Sequence, residues 1–558
     1  MNIKPTNNDV DLIFEAYTKP GSPGCALAVM KSGEIVYRQG YGLSNLEQNQ
    51  SILPSTVFNV GSMAKQFTAF TIALLENECK LSFDDDFRKY VPEMHDFGPT
   101  ITIRNLIHHT SGIRCTFPDL LFLAEWRESD ATSTDDVLRL LKRQHELDFP
   151  TGTEYAYANS NYVLLALICE RISDLSFAAF CEQHIFEPLG MMSTVINDNY
   201  YKIIPGRALG YYDNDGVWMS APLTDSVIGP TNVYSTVEDL ALWDENFYTG
   251  KVGGKKIIEQ IHEPGRLDDG TELDYAFGLM VGPTHQHRGW QVVEHGGGQG
   301  GYTSHMIRFP ERHLSVVALF NHFIWNARDY ALQVADLFLE VKQPQKSATP
   351  ESGTMTTPPE QIDLSAEQLK LKTGKYFNHR RVALREVTLK DGRLQYQGYD
   401  LVPLAEHRFF IEDEPDVYVE FQTGSSGHSE SIKTITISGE YTYDRVESVA
   451  PAIEELADCT GHYYSVELDL YWTIHLIDDH LIVKRRKYVD TKLSPLFTDA
   501  FSDDWQPIME WPLTYTIIFE RDEARAVSGF RVSGSRIRHL NFVLVTGLIY
   551  QPMKKVRV

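Results

Sequence analysis

The sequence predicts an α+β fold in which an antiparallel sheet flanked by helices is followed by two small antiparallel β-barrels. Within residues 1–342, strand-like runs stand at both ends and helical patterns lie between them. Residues 343–360 are rich in Pro, Ser and Thr and lack periodicity, which is typical of a linker. Beyond it, two successive segments, 361–449 and 450–558, carry similar residues in the same order. We therefore expect three domains joined by one linker.

The elements of the first domain follow from hydrophobic periodicity. Residues 24–30 and 35–43 are apolar and flank a Lys-Ser-Gly-Glu turn, which predicts a β-hairpin. Strand-like runs return at residues 303–309 and 314–320. Because strand pairs stand at both ends, we expect one sheet built from both ends of the domain. Helical patterns occupy residues 62–77, 133–143, 161–172, 235–246 and 326–341, with capping boxes at Ser133/Asp136 and Ser235/Glu238.

The two C-terminal segments match each other. Gly-Lys-Tyr at residues 374–376 corresponds to Gly-His-Tyr at residues 461–463. Matched order with growing spacing indicates a tandem duplication with loop insertions in the second copy. Each copy is rich in alternating strands, which predicts a small antiparallel barrel. Further matched pairs are Leu394/Leu481, Phe409/Phe501 and Phe421/Phe519.

Composition excludes several classes of function. The chain of 558 residues has a formal net charge of −25, which repels phosphate backbones, so a nucleic-acid partner is not expected. The first residues lack the apolar core of a secretory signal, and no run approaches the ~18 apolar residues of a membrane span. Six cysteines without a Cys-x-x-Cys pair indicate reduced thiols. We therefore expect a cytoplasmic protein with no membrane contact, no metal and no cofactor.

A serine and a lysine stand three residues apart where the first long helix begins. Ser62 follows Gly61, and Lys65 shares its helix face. The amine can take the hydroxyl proton when burial favours the neutral amine, and the helix N-terminus favours a developing oxyanion. The spacing alone is a weak signal, since about one such pair arises by chance in a chain of this composition.

Two further motifs strengthen this interpretation. Tyr157 and Asn159 form a Tyr-x-Asn motif before an apolar helix, where a phenol can shuttle protons and an amide can hydrogen-bond the lysine and the substrate. Residues 294–298 read Glu-His-Gly-Gly-Gly beside a predicted strand. Gly297 and Gly298 would let a substrate backbone approach an edge strand without an intervening side chain.

Ser-x-x-Lys, Tyr-x-Asn and a third motif on a strand, in this order, resemble the serine β-lactamase and penicillin-recognising hydrolase family, which includes DD-peptidases, class C β-lactamases, esterases and D-aminopeptidases. The resemblance implies that Ser62 is the nucleophile and Lys65 its partner. It further implies that Tyr157 is the general base and acid and that Asn159 positions lysine and substrate. The oxyanion hole would be the backbone N–H groups of Ser62 and Gly298. Whether Lys65 or Tyr157 takes the first proton is left open.

The third motif departs from the pattern of the penicillin-binding members. These usually carry a lysine there, a fixed cation for the substrate carboxylate, whereas this chain has His295, which is mostly neutral at pH 7. That difference disfavours a β-lactamase or a DD-carboxypeptidase. The His-Gly-Gly sequence and two C-terminal barrels resemble the D-aminopeptidases, which remove N-terminal D-residues such as D-alanine.

In the D-aminopeptidases, the last barrel sends a loop into the site, where an acidic residue meets the substrate amine. The turn at residues 502–507 offers Asp503 and Asp504 for this role, and an exposed acidic turn without function is the alternative. The sequence thus predicts a serine-type D-aminopeptidase that acts through an acyl-enzyme on a small peptide or amide with a free amino terminus. A promiscuous carboxylesterase, a DD-peptidase or β-lactamase-like enzyme and a non-catalytic binding protein are the alternatives. Either a monomer or a homodimer fits the sequence.

Overall fold

The computed structural model describes residues 7–282, 285–340, 362–412, 414–424, 427–436, 439–503, 505 and 514–545. These residues divide into two compact units. The first comprises the described residues of Met1–Pro118 and Glu128–Gly353, and the second those of Asp119–Arg127 and Thr354–Val558. The predicted linker, residues 343–360, lies outside the described residues.

The first unit is organised around a five-stranded antiparallel sheet. Its strands are β1 (Cys25–Lys31), β2 (Glu34–Tyr41), β3 (Val293–Gln299), β4 (Tyr302–Phe309) and β5 (Leu314–Phe320). Their order is β3-β4-β5-β1-β2, so that the first and last strands of the unit pair at the centre. The predicted sheet built from both ends of the domain is confirmed.

The β1–β2 hairpin has the turn chemistry that the sequence indicates. Ser32 and Gly33 both have positive φ, 53° and 82°. Two consecutive residues of this kind make the tight turn whose twist matches that of paired strands. The strands pair from Lys31 opposite Glu34 to Cys25 opposite Tyr41, with one shift of register between Val29 and Met30.

Helices cover both faces of the sheet. On one face, buried side chains such as Val316 and Ile307 pack against the helices Asn7–Ile13 and Ala327–Phe338. On the other face, Arg308 donates from Nε to Asp244 of the helix Val237–Thr249 at 2.7 Å. The predicted Ser133/Asp136 capping box is present. The α-helices of five or more residues in this unit are α1 (Asn7–Ile13), α2 (Ala64–Asn77), α3 (Ile103–Ile107), α4 (Thr134–Leu141), α5 (Asn159–Ser173), α6 (Phe177–Cys181), α7 (Val237–Thr249), α8 (Gly254–Gln260) and α9 (Ala327–Phe338).

One predicted helix start is wrong by one residue. The N-cap of α7 is Thr236, whose hydroxyl accepts the Asp239 N–H at 3.0 Å. Ser235, expected at this position, belongs instead to a short strand, and its hydroxyl bonds to Thr194 at 2.8 Å. That strand, Val233–Ser235, pairs with Phe58–Asn59, the residues that lead into the first long helix. Tertiary pairing therefore decided which of two adjacent hydroxyl residues caps the helix.

The second unit contains two closed barrels of eight antiparallel strands each. The predicted fold class is confirmed. The first barrel consists of β6 (Gly374–Asn378), β7 (Ala383–Lys390), β8 (Arg393–Tyr396), β9 (Tyr399–Ala405), β10 (Arg408–Ile411), β11 (Glu414–Thr423), β12 (Ser429–Thr436) and β13 (Gly439–Val446). The second consists of β14 (Gly461–Ser465), β15 (Leu470–Ile477), β16 (His480–Lys484), β17 (Thr491–Phe497), β18 (Ala500–Asp503), β19 (Tyr515–Arg521), β20 (Val527–Ser533) and β21 (Leu540–Leu544).

The residues matched between the two copies occupy equivalent strands. In the opening strand of each barrel, a buried tyrosine donates from its hydroxyl to a carbonyl four residues earlier. Tyr376 donates to Lys372 at 2.8 Å, and Tyr463 donates to Cys459 at 2.7 Å. The other matched pairs fall in the third, fifth and sixth strands of each barrel and are buried. These equivalences support the duplication.

No helix among the described residues is long and apolar enough to cross a membrane.

Candidate active site

Ser62 lies in a short 3-10 turn, Gly61–Met63, which leads directly into α2. Gly61 enters this turn with φ +52° and donates its N–H to the side-chain oxygen of Asn59 at 2.7 Å. A Cβ at position 61 would lie 2.6 Å from the backbone nitrogen of Gly298. Glycine is thus required here both by the backbone angle and by the close approach of β3.

Lys65 is fully buried one turn after Ser62. Its Nζ lies 3.1 Å from Ser62 Oγ, 2.8 Å from Asn159 Oδ1 and 3.0 Å from the carbonyl oxygen of Pro230. The structure therefore brings together three residues that the sequence singled out, and it adds a backbone carbonyl that no motif identified.

The partners of Lys65 suit an amine that exchanges a proton with Ser62. The Asn159 and Pro230 oxygens can only accept hydrogen bonds, so they take two N–H groups of the lysine. In the neutral amine the lone pair then faces the Ser62 hydroxyl, and in the ammonium form the third N–H donates to it. Both charge states keep these three contacts, so the contacts of Lys65 with Ser62, Asn159 and Pro230 do not oppose proton transfer between Ser62 and Lys65.

Hydrogen bonds hold both the side-chain amide and the backbone N–H of Asn159. Its Nδ2 donates to the carbonyl of Phe117 at 2.9 Å, which turns Oδ1 toward Lys65. Its backbone N–H donates to Cys115 Sγ at 3.2 Å. As the first residue of α5, Asn159 has a fixed backbone as well. The orientation of this amide thus depends on the short stretch of chain before Pro118.

Tyr157 packs between a buried imidazole and the lysine. Its ring centroid lies 4.5 Å from that of His109 and 4.7 Å from Lys65 Nζ. His109 has a positive φ of 58°, and its Nδ1 accepts the N–H of Ala158 at 3.1 Å. The imidazole of His109 therefore holds the Tyr-x-Asn motif by packing against Tyr157 and accepting the Ala158 N–H. The sequence contains the run His-His-Thr-Ser-Gly at residues 108–112, but nothing in this run shows that its second histidine packs against the Tyr-x-Asn motif.

Strand β3 carries the third motif close to the turn Gly61–Met63, which contains Ser62. A Cβ at Gly297 would lie 2.7 Å from the backbone nitrogen of Ser62, so the two backbones meet without room for a side chain. Ser304 of the neighbouring strand donates to the carbonyl of Val60 at 2.7 Å and holds the turn against the sheet. This approach brings the backbones of Ser62 and Gly298 close together, and the oxyanion hole expected from their N–H groups stays a prediction.

His295 is buried and neutral. Burial, followed by the charge of Lys65, lowers its pKa to about 3. Its Nδ1 lies 2.6 Å from the carbonyl of Gly296, which can only accept, so Nδ1 carries the proton. Nε2 then accepts from the hydroxyl of Tyr275 at 3.3 Å, and burial keeps that hydroxyl protonated by raising its pKa. Tyr275 is a site residue that the sequence analysis missed.

The acidic residue of the third motif, Glu294, anchors the strand. Glu294 is buried, and its carboxylate accepts from His305 at 2.8 Å and from Arg328 at 2.8 Å. Burial alone would raise the pKa of Glu294, but these contacts and one from His285 lower it well below its usual range. Its backbone pairs with Met280. Among the backbone hydrogen bonds of the described residues, that free edge of β3 has no partner from residue 295 to 298.

Of the two aspartates proposed for amine recognition, the described residues include Asp503. Asp503 ends β18 inside the second barrel and forms a fully buried ion pair with Arg485. Two tryptophans, Trp472 and Trp505, each lie 4.2 Å from that guanidinium. Asp504 lies outside the described residues. The carboxylate of Asp503 is thus occupied by an internal cation.

The fold and the site together define a serine hydrolase of α+β class, with a serine–lysine pair at a helix start and a glycine-rich edge strand beside it. The profile of the beta-lactamase family matches residues 10–339. The chain belongs to this family.

Among similar proteins, Penicillin-binding protein 4* of Bacillus subtilis (strain 168) is 30% identical over 316 residues, which cover 53% of this chain and 68% of that protein. The D-aminopeptidase of Gluconobacter oxydans (strain 621H) is 28% identical over 313 residues, 54% of this chain and 56% of that protein. The chain therefore spans little more than half the length of that D-aminopeptidase.

The octameric penicillin-binding protein homologue from Pyrococcus abyssi aligns over 96% of this chain and 99% of its own, with a TM-score of 0.53 and 19% identity. At this level of identity, the similarity shows a shared fold.

Proposed function

We propose that this protein is a serine-type D-aminopeptidase that releases N-terminal D-residues, such as D-alanine, from peptides, amides or esters. The observation that carries the proposal is the neutral His295 beside an intact serine–lysine pair. A neutral imidazole offers no fixed cation to a substrate carboxylate. We therefore expect the protein to recognise its substrate through the free amino end. The D-aminopeptidases among the relatives support this choice.

In the proposed acylation, neutral Lys65 accepts the hydroxyl proton of Ser62 as Oγ attacks the carbonyl carbon. The Ser62 and Gly298 N–H groups donate to the developing oxyanion. When the tetrahedral intermediate collapses, the bond to the leaving amine breaks, and that amine takes a proton from Lys65 or Tyr157. Water then attacks the acyl ester, loses its proton to the same base, and the D-amino acid leaves as Ser62 regains its proton.

The free edge of β3 supplies a place for the substrate backbone. Because no side chain projects from residues 296–298, an extended substrate can pair with this edge as an additional strand. Its scissile carbonyl would then lie between β3 and Ser62. The open edge supports a peptide or amide substrate rather than a globular partner.

The amine of the substrate is proposed to meet a carboxylate from the turn at residues 502–507. Since Arg485 occupies Asp503, we assign this role to Asp504. A desolvated ammonium–carboxylate pair leaves an unpaired charge when one partner is removed. Acetylating the substrate amine should therefore lower kcat/KM at least about tenfold, or about 1.4 kcal/mol.

The test compares 4-nitroanilides of D-alanine, L-alanine and N-acetyl-D-alanine with a chromogenic cephalosporin. We expect D-alanine anilide to be the best of the four and Asp504→Asn to remove most of the discrimination against acetylation. Equal rates on the free and acetylated anilides would favour the carboxylesterase instead, and preference for the cephalosporin would favour a β-lactamase-like enzyme. Ser62→Ala should abolish turnover, and an acylating reagent should label Ser62.

We also propose a cytoplasmic location and a small-molecule partner. All six cysteines are free thiols, and five of them are buried, which supports a reducing compartment. A homodimer stays a prediction, which sedimentation of the full chain can test.

A further inference from the structure

The side chain of Gln299, the last residue of β3, takes part in a chain of hydrogen bonds within the first unit. Its Nε2 donates to Asp225 Oδ2 at 2.6 Å, and its Oε1 accepts from Asn59 Nδ2 at 3.1 Å. Asn59 Oδ1 in turn accepts the backbone N–H of Gly61 at 2.7 Å. Three side chains therefore connect a carboxyl group to the first residue of the turn Gly61–Met63.

Both ends of this chain fix the direction of its hydrogen bonds. The Gly61 N–H can only donate, so Asn59 turns Oδ1 toward it and Nδ2 toward Gln299. An ionised carboxylate can only accept, so Gln299 turns Nε2 toward Asp225. The two amides therefore have one arrangement in which each contact joins a donor to an acceptor. If either end of the chain changes, an amide must turn over or lose a contact.

Main-chain contacts hold Asp225 in place. The short strand Asp225–Ser226 pairs in parallel with the two residues that precede α4. The second carboxylate oxygen of Asp225, Oδ1, accepts the backbone N–H of Val227 at 2.6 Å. Five residues after Asp225 comes Pro230, whose carbonyl accepts from Lys65 Nζ at 3.0 Å. The stretch of chain that holds the lysine therefore also holds the carboxyl group that Gln299 contacts.

We propose that Asp225 and Gln299 are positioning residues for the acylation of Ser62. The backbone of Gln299 continues directly from Gly298, and its side chain holds, through Asn59, the turn that contains the nucleophile. The spacing between the two N–H groups proposed for the oxyanion hole, on Ser62 and Gly298, therefore depends on the amide of Gln299. The inference rests on the proposed function, in which these two N–H groups stabilise the oxyanion.

The test compares two glutamine substitutions in the full chain, with 4-nitrophenyl acetate as a substrate that has no amine. Gln299→Met keeps the length of the side chain and removes both of its hydrogen bonds. Gln291→Met is the matched control, since Gln291 Nε2 donates to the carbonyls of Gly282 and His285 at 2.7 and 3.0 Å. We expect Gln299→Met to lower kcat about tenfold with little change in KM, because the displaced N–H groups act on charge that develops in the transition state. Gln291→Met should stay within about twofold of the wild type in kcat, and an equal loss in the two variants would contradict the inference.

A double-variant cycle separates positioning from loss of stability. Asp225→Asn replaces one of two accepting oxygens with a donor, so the contact with Gln299 or with Val227 must change. At about pH 8, above the pKa of about 7 to which burial raises Asp225, we expect this variant to lower kcat at least about threefold. In a Gln299→Met background it should cause no further loss, because the amide through which it acts is absent. A wild-type kcat for Asp225→Asn, or an undiminished loss in that background, would overturn the inference.

Hydrogen exchange gives a readout that does not depend on turnover. Gln299→Met should increase exchange in the peptide that contains the Gly61 amide, whereas Gln291→Met should leave that exchange unchanged. Equal exchange in the two variants would show that Gln299 does not hold the turn, and the inference would then fail even if the wild-type chain hydrolyses none of the test substrates. Such inactivity of the wild type would instead refute the proposed function.

Discussion

Replacing Gly297 with alanine adds one methyl group where β3 closely approaches the turn Gly61–Met63, which contains Ser62. The new Cβ would lie 2.2 Å from the carbonyl oxygen of Val60 and 2.7 Å from the nitrogen of Ser62. Unstrained contacts of carbon need about 3.5 Å. Both neighbours are backbone atoms and cannot rotate away, so the strand and the turn must separate by about 1 Å.

The expected loss of rate follows from the effect of this separation on the proposed oxyanion hole. Its two N–H groups lie on opposite sides of the gap, one on Ser62 and one on Gly298. A misplacement of about 1 Å costs on the order of 10²-fold in rate, or about 2.7 kcal/mol. Because these donors act on charge that develops in the transition state, the loss should appear in kcat rather than in KM.

The assay measures kcat and KM of Gly297→Ala on D-alanine 4-nitroanilide and 4-nitrophenyl acetate, with urea unfolding to confirm the fold. Gly298→Ala is the matched comparison, since its Cβ meets no atom closer than 3.9 Å and the backbone N–H is kept. We expect it to lose much less activity than Gly297→Ala. The steric reasoning is refuted if the two variants lose equal activity, or if Gly297→Ala stays within about threefold of the wild type.

Three further predictions concern buried or partly buried polar groups. Tyr275→Phe leaves Nε2 of His295 without its donor, which should cost about 1–3 kcal/mol in the free energy of unfolding, measured in urea. Asp503→Asn leaves Arg485 buried and unpaired, and should lower the same free energy by about 3–5 kcal/mol; a loss below about 1 kcal/mol would show that the pair is not isolated from water. Burial raises the pKa of Asp225 to about 7, above its unfolded value, so the folded state holds the extra proton and stability should fall as pH rises from about 4 to 7. Thermal unfolding of Asp225→Asn between pH 5 and pH 8 should show a smaller decrease than that of the wild type.

Much of the fold could be predicted because its signals are local. The hairpin turn at Ser32 and Gly33, the periodic helices and the duplicated C-terminal segments each depend on residues close together in the chain. The boundary of the second unit could not be predicted in this way. Asp119–Arg127 carries no linker composition, and only its contacts with distant residues assign it to the barrel.

The sequence by itself determined the serine–lysine pair, because residues three apart on one helix must share a face. It also determined the glycine motif, because a missing side chain is visible without a structure. Only the tertiary structure showed the Pro230 carbonyl, the hydroxyl of Tyr275 and the buried partner of Asp503. Each of these joins residues far apart in sequence, and no local periodicity encodes such a contact. The packing of separate elements decided these contacts. The same packing buries His295 and so keeps its imidazole neutral.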